Sequence, residues 1–144
     1  MRIQAYFHLL NKQESFPVEE VTEVLDLFPT FVNEHQEEPL SNSTFCNFTT
    51  WQYGKEYYET YDTNQLLLPL VEVLEPKINQ IRQLIRKYSL TAEMAIVMGV
   101  DEGRMLSLIL EPKVCNFAAA INANINIYSY EFESLFDDNV YLLH

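Results

Sequence analysis

The sequence predicts an α+β protein in which helices pack on one face of a single β-sheet, as a two-layer sandwich. Segments rich in β-branched and aromatic residues alternate with amphipathic segments, in the predicted order β-α-β-α-β-β-α-β. The chain has 144 residues, of which 48% are hydrophobic and only 3 are glycine. This length and composition fit one globular domain, residues 1–144, with a single core.

The first half of the chain is predicted to form two strands and a helix. Residues 3–10 are aliphatic and aromatic and predict the first strand. Pro17 suits the first turn of a helix whose valines recur at helical spacing, and Pro29 is expected to end that helix. Residues 31–44 predict a loop with at most a short extended piece. Residues 45–53 predict the second strand, which the following residues either extend or connect to the next helix.

A long helical region is predicted to run from a cap at Asp62 or Thr63 to about Tyr88. Pro69 is more comfortable in a first turn, so the regular helix is expected to begin only there. Pro76 lies further along the same region and predicts a kink or a break into two helices.

The remaining elements are short. Residues 92–100 and 104–110 are predicted to form a β-hairpin around a compact turn. Pro112 opens a short helix, and residues 125–132 predict the last strand. The tail, residues 133–144, carries enough apolar side chains that we expect it to dock on the domain.

Charge is the most informative property of the sequence. The chain carries 21 Asp+Glu against 9 Lys+Arg, a formal net charge of -12. Such a surface disfavours nucleic acid and anionic membranes, and it speeds encounter with a basic protein. The acids of the first helix and of the following loop, Glu34, Glu37 and Glu38, could form a continuous negative patch suited to binding a basic nuclease. The alternative is an ordinary solubilising surface.

Aromatic residues are concentrated between positions 45 and 61, and they suggest a second contact surface. Tyrosine and tryptophan dominate interface hot spots, which makes Trp51, Tyr53, Tyr57 and Tyr58 candidate partner-binding residues. Stacking on nucleic-acid bases would require interleaved cations, and Lys55 is the only one here. The alternative is that half of these rings pack in the core beneath the long helix.

No catalytic, metal or cofactor site is predicted. Cys46 and Cys115 have neither metal-ligand spacing nor an adjacent base, so both are expected to be reduced core residues. Glu34 and His35 match no metal-ligand template, and the histidines are scattered. The start of the chain alternates like a strand rather than resembling a signal peptide, and no apolar run is long enough for a membrane span. We therefore expect a cytoplasmic protein that is not an enzyme.

Several short motifs occur in an order that resembles one protein family. They are the strand Ala5-Tyr6-Phe7, the helix at 18–22 leading to Leu27-Phe28-Pro29-Thr30, Trp51, the Leu-rich helix at 67–85 with its Lys-flanked proline, and Ile125-Asn126-Ile127-Tyr128. Together they resemble the bacterial family catalogued as domain of unknown function 4279 over most of residues 3–130. Residues 31–34 depart from it, because the family has a Gly-containing basic turn there. The resemblance implies the fold, a bacterial or phage origin and, by analogy, an immunity-like role in toxin systems.

Three hypotheses of function follow. The first is a non-enzymatic binding protein of immunity or inhibitor type that masks a basic toxin or nuclease, as a monomer or homodimer. The second is a small-ligand binder or enzyme with a pocket near Trp51, Tyr53 and Tyr58, with Glu56 and Glu59 as candidate carboxylates. A deep pocket with a polar floor beside Trp51 would favour it. The third is a structural homo-oligomer that assembles through a sheet face or edge.

Overall fold

A computed structural model of the protein describes residues 2–34, 48–60, 62–101, 103 and 107–132, without the side chains of residues 55–58 and 132. The elements, in chain order, are β1 (Arg2–Asn11), α1 (Val18–Leu25), β2 (Phe31–Asn33), β3 (Thr49–Glu59), α2 (Asn64–Leu74), a 3₁₀ turn (Glu75–Lys77), α3 (Ile78–Tyr88), β4 (Thr91–Asp101), α4 (Pro112–Ala120) and β5 (Asn124–Phe132).

The five described strands form one mixed sheet in the order β2-β3-β1-β4-β5. Neighbouring strands are antiparallel except β4 and β5, which are parallel. Parallel neighbours need a crossover connection, and α4 lies between these two strands in the chain. The sheet is therefore open and mixed, with β2 and β5 as the outermost described strands.

The described helices share one core on a single face of the sheet. Buried residues of β1 alternate along the strand, and Ile3, Phe7 and Leu9 point to this face together with Met94 of β4. The ring of Phe7 meets Phe117 of α4 edge-on, with 6.4 Å between the ring centroids. The α+β class and the packing of helices on one face of a single sheet are thus confirmed.

Two helix boundaries differ from the sequence-based expectation. The first helix ends at Leu25, before Pro29, because Asp26 adopts a left-handed conformation with φ 52° and Leu27 N–H bonds back to the Thr22 carbonyl. The second begins at Asn64 rather than at Pro69, since Asp62 Oδ1 accepts the Asn64 N–H at 3.0 Å and organises the first turn. The predicted break at Pro76 is confirmed by the 3₁₀ turn between α2 and α3.

The predicted hairpin after β4 is wrong in its described part. Residues 107–110 are irregular, and residues 104–106 lie outside the described residues. Both edges of β4 are occupied, by β1 on one side and β5 on the other, so a hairpin partner has no edge to pair with. The second predicted strand starts at Thr49 and runs to Glu59, while residues 45–47 and the tail 133–144 lie outside the described residues.

Candidate interaction site

Trp51 was a candidate partner-binding residue, but the structure places it in the core. Its side chain is fully buried, and Nε1 donates a hydrogen bond to Thr22 Oγ1 at 3.0 Å. The ring stacks on Tyr53 and meets Phe7 edge-on, with centroid separations of 6.4 Å in both cases. Both the apolar surface and the polar atom of Trp51 are therefore used inside the protein, and neither can contact a partner.

The other candidate residues have different outcomes. Tyr53 is half-buried and packs against the core cluster. The side chains of Tyr57 and Tyr58, and the residues Glu37 and Glu38, lie outside what the structure describes. Glu34 is exposed directly after β2. The predicted aromatic surface is therefore not assembled by the described side chains of β3, and Glu34 is the acidic candidate that the structure places.

The segment from the end of α1 to the residue after β2 carries exposed acidic and apolar side chains, and we call it the acidic–apolar edge. Its members are Glu23, Val24, Asp26, Phe28, Phe31, Val32 and Glu34, all of which are exposed. Phe28 is 86% exposed and Phe31 53% exposed. Within the described part of the chain no ion pair forms at the three acids. The apolar members of this edge were not predicted from the sequence. The available signal was the position of Phe28, which precedes a proline and lies outside the periodic segments on either side of it.

The acidic–apolar edge is fixed to the sheet by hydrogen bonds. Thr30, between the two phenylalanines, donates its N–H to the Gln52 carbonyl at 2.8 Å and its hydroxyl to the same oxygen at 3.3 Å. Asn33 Nδ2 donates to the Phe48 carbonyl at 2.8 Å. The phenylalanine side chains are therefore presented from an ordered backbone, which lowers the entropy lost when a partner covers them.

Part of the negative charge on the acidic face of α1 is neutralised by residues of α3. Lys87 Nζ lies 3.0 Å from Glu20 Oε1, and the Tyr88 hydroxyl donates a hydrogen bond to Glu20 Oε2. The hydrogen bond from Tyr88 and the contact with Lys87 lower the pKa of Glu20, and the bond to Glu20 raises the pKa of Tyr88. Glu20 is thus already paired, whereas Glu19 and Glu23 of α1 make no ion pair within the described residues.

The sheet face opposite the helices carries tyrosines, and we call it the tyrosine face. Strand register places its members in rows that cross the sheet. One row is formed by Phe31, Gln52, His8, Glu93 and Asn124, and the next three rows on the same face contain Tyr6, then Tyr128, then Tyr130. The Tyr6 and His8 rings meet edge-on at 5.3 Å. Because Phe31 belongs to both surfaces, the acidic–apolar edge continues onto the tyrosine face.

A carboxylate is held in the middle of the tyrosine face. Tyr128 Oη donates to Glu93 Oε1 at 3.2 Å, and His8 Nε2 lies 3.2 Å from Oε2 without the alignment of a hydrogen bond. Burial would raise the pKa of Glu93, but the hydrogen bond from Asn126, the charge of His8 and the Tyr128 hydroxyl together lower it. Such a group is a fixed negative charge and a weak base, so it suits holding a cation better than proton transfer.

A cleft opens beside Tyr53, between the sheet and α2. Its volume is about 250 Å³, and it is lined by Ala5, Thr30, Tyr53, Gly54, Leu66, Pro69, Leu70 and Val73. Trp51 is not among these residues, and most of the lining is apolar. The cleft therefore lacks the polar floor that was expected of a catalytic pocket beside Trp51.

Metal and thiol chemistry find no support in the described residues. No group of three or more His, Cys, Asp or Glu in the described ranges could hold a metal ion. Cys115 is exposed on α4, so its prediction as a core residue is wrong: the buried side of this helix is formed by Val114, Phe117 and Ala118. Cys46 lies outside the described residues. Over the same part of the chain, no helix is both long and apolar enough to cross a membrane.

One protein family matches the chain. Its sequence model, described as "Domain of unknown function (DUF4279)", covers residues 1–131 of 144. The chain belongs to this family, and the resemblance drawn from the ordered motifs is confirmed. The family description assigns no activity. No curated protein and no solved structure matches the chain.

Proposed function

We propose that this member of the DUF4279 family is a non-enzymatic binding protein of immunity or inhibitor type, which masks a basic protein such as a toxin or nuclease. The observation that carries the proposal is the acidic–apolar edge, where Phe28 is 86% exposed among acids that make no ion pair in the described residues. Single exposed apolar residues are common on protein surfaces, but several of them grouped in one short segment and flanked by acids are typical of a protein-interaction site.

Charge and apolar surface would act at different stages of binding. A net charge of -12 attracts a basic partner over long distances and raises the association rate. Burying Phe28 and Phe31 would slow dissociation, because each fully buried phenylalanine contributes about 1.5–3 kcal/mol. The acids Glu23, Asp26 and Glu34 would orient the lysines or arginines around these rings.

The interface we propose is larger than the acidic–apolar edge. A specific and stable complex buries about 1,200–2,000 Å² of surface in total, more than a few side chains supply. The tyrosine face continues from Phe31 along the row that contains His8 and Glu93. Its exposed Tyr128 and the ionised Glu93 offer aromatic and anionic contacts to an arginine, which stacks on rings and pairs with carboxylates.

A capture experiment tests this function. The wild type, Phe28→Ser and Ile109→Ser are each immobilised and exposed at low ionic strength to a lysate of the source organism, and salt then elutes what is bound. Ile109 is the control because it is 71% exposed but belongs to the segment before α4 and not to the acidic–apolar edge. We expect the wild type and Ile109→Ser to retain the same basic protein and Phe28→Ser to lose it. Equal retention by all three proteins, or retention of nothing, would count against the proposal.

A further inference from the structure

The cleft beside Tyr53 has the shape and chemistry of a binding site for a small molecule. One wall is a stripe of α2 with helical spacing, formed by Leu66, Pro69, Leu70 and Val73. The opposite side is formed by Ala5 of β1 and by Tyr53 and Gly54 of β3, and Thr30 closes one end. The cleft therefore lies between two firmly packed elements, which hold its walls in place.

The apolar wall is more accessible than the composition of α2 would suggest. This helix carries a single charged residue, Glu72, and a helix that is apolar on all sides is normally covered. Val73 is nevertheless exposed, and Pro69 is only half-buried. An apolar ligand in the cleft would remove this surface from water.

The polar groups at the cleft specify what kind of ligand fits. The Tyr53 hydroxyl forms no hydrogen bond with the described residues, so it is available as a donor. The Thr30 hydroxyl already donates to the Gln52 carbonyl. None of the described lining side chains is charged, so an ionic ligand would lose its hydration without gaining a counter-charge from them.

We propose that this cleft binds a small neutral molecule: one ring or a short aliphatic chain that carries one oxygen, which accepts a hydrogen bond from Tyr53. The size agrees, because an apolar cavity of about 150 Å³ holds benzene, and the cleft of about 250 Å³ has room for a ring with a short substituent. This site goes beyond the proposed function, since it requires no protein partner.

Three probes of similar size separate the contributions of shape, hydrogen bonding and charge. Acetophenone has a ring and a carbonyl acceptor, ethylbenzene lacks the acceptor, and benzoate carries a negative charge. Binding is followed by amide chemical shifts of the protein and by saturation transfer to the probe. We expect acetophenone to bind, ethylbenzene to bind about three- to ten-fold more weakly, and benzoate not to bind. In Tyr53→Phe, acetophenone should weaken to the level of ethylbenzene, whose own affinity stays unchanged.

A matched pair of variants locates the site. Val73→Phe fills the cleft from its exposed rim, whereas Ile109→Phe adds an aromatic ring at an exposed aliphatic residue of the segment before α4, which does not line the cleft. We expect acetophenone binding to be lost in the first variant and retained in the second, with similar melting temperatures. If Val73→Phe does not fold, the Tyr53→Phe comparison decides the matter.

The proposal is overturned if acetophenone still binds Val73→Phe, or if Tyr53→Phe leaves the ratio of the two neutral probes unchanged. It is also overturned if no probe binds. Should Val73→Phe then lose a captured basic protein while Ile109→Phe retains it, the cleft receives a side chain of that protein instead of a small molecule.

Discussion

The buried hydrogen bond between Trp51 and Thr22 gives a prediction whose size follows from the structure. Thr22→Val removes the acceptor of Trp51 Nε1 and leaves a fully buried N–H without a partner. An unsatisfied buried donor costs about 1–3 kcal/mol of unfolding free energy. Trp51→Ala removes the whole ring, including its contacts with Phe7 and Tyr53, and is expected to cost about 3–5 kcal/mol. Thr22→Ser keeps the hydroxyl and should lose less than Thr22→Val.

Denaturant unfolding measures these differences directly. Trp51 is the sole tryptophan of the chain, so its fluorescence in the threonine variants reports the unfolding of this core without interference. Circular dichroism replaces fluorescence for Trp51→Ala. The double variant Thr22→Val, Trp51→Phe should cost less than the sum of its single variants, because both partners of the bond are then absent. Strict additivity, or a stable Trp51→Ala with altered partner affinity, would refute the placement of Trp51 in the core.

Other predictions concern the tyrosine face. The pKa of Glu93 is lowered on folding, so its ionised carboxylate stabilises the folded state. This stabilisation is complete above the ordinary glutamate pKa and is lost as the pH falls through the lower pKa of the folded state. Glu93→Gln should therefore flatten the fall in unfolding free energy as the pH drops below the ordinary glutamate pKa, and an unchanged acid limb would contradict this. Gly54→Ala should destabilise by about 1–3 kcal/mol or more, because a Cβ there would lie 2.5 Å from the Ala5 carbonyl oxygen. Gly99→Ala should cost less, since it meets only the end of the partly exposed Tyr130 ring; equal losses in urea unfolding would contradict the comparison.

The sequence predicted best where local chemistry decides the structure. The break in the long helical region falls at Pro76, which lacks the N–H of a helix interior, although Pro69 is accommodated inside α2. The helical spacing in α1 identified its buried side in part: Val18, Val21 and Leu25 are in the core, whereas Val24 of the same set is exposed. Single-sheet architecture with helices on one face followed from the alternation of these patterns.

The sequence predicted poorly where distant residues decide the outcome. The hairpin after β4 failed because β1 and β5 already occupy both edges of that strand, and strand pairing across the chain is not a local property. Trp51 could not be placed from its own strand, since neither face of that strand is cleanly apolar; its burial depends on α1, which supplies Thr22. The exposure of Phe28 could not be predicted for the same reason, because it depends on how the turn after α1 is anchored to Gln52.

The central proposal, that the acidic–apolar edge binds a basic protein, is tested most directly by association kinetics at two ionic strengths. The test variant is Glu23→Gln, Asp26→Asn, Glu34→Gln, in which asparagine tolerates the left-handed backbone at position 26. The control variant, Glu75→Gln, Glu111→Gln, Glu131→Gln, removes the same charge from exposed sites outside the edge.

Surface plasmon resonance against the captured basic protein measures both rates. We predict that the test variant associates about ten-fold more slowly at low salt, with little change in dissociation, and that added salt removes most of the difference. The control variant should slow association less than the test variant does, because its charges lie outside the acidic–apolar edge and do not face the partner's basic groups in the contact. Equal slowing of both variants, or no slowing of either, would contradict a binding surface at the acidic–apolar edge.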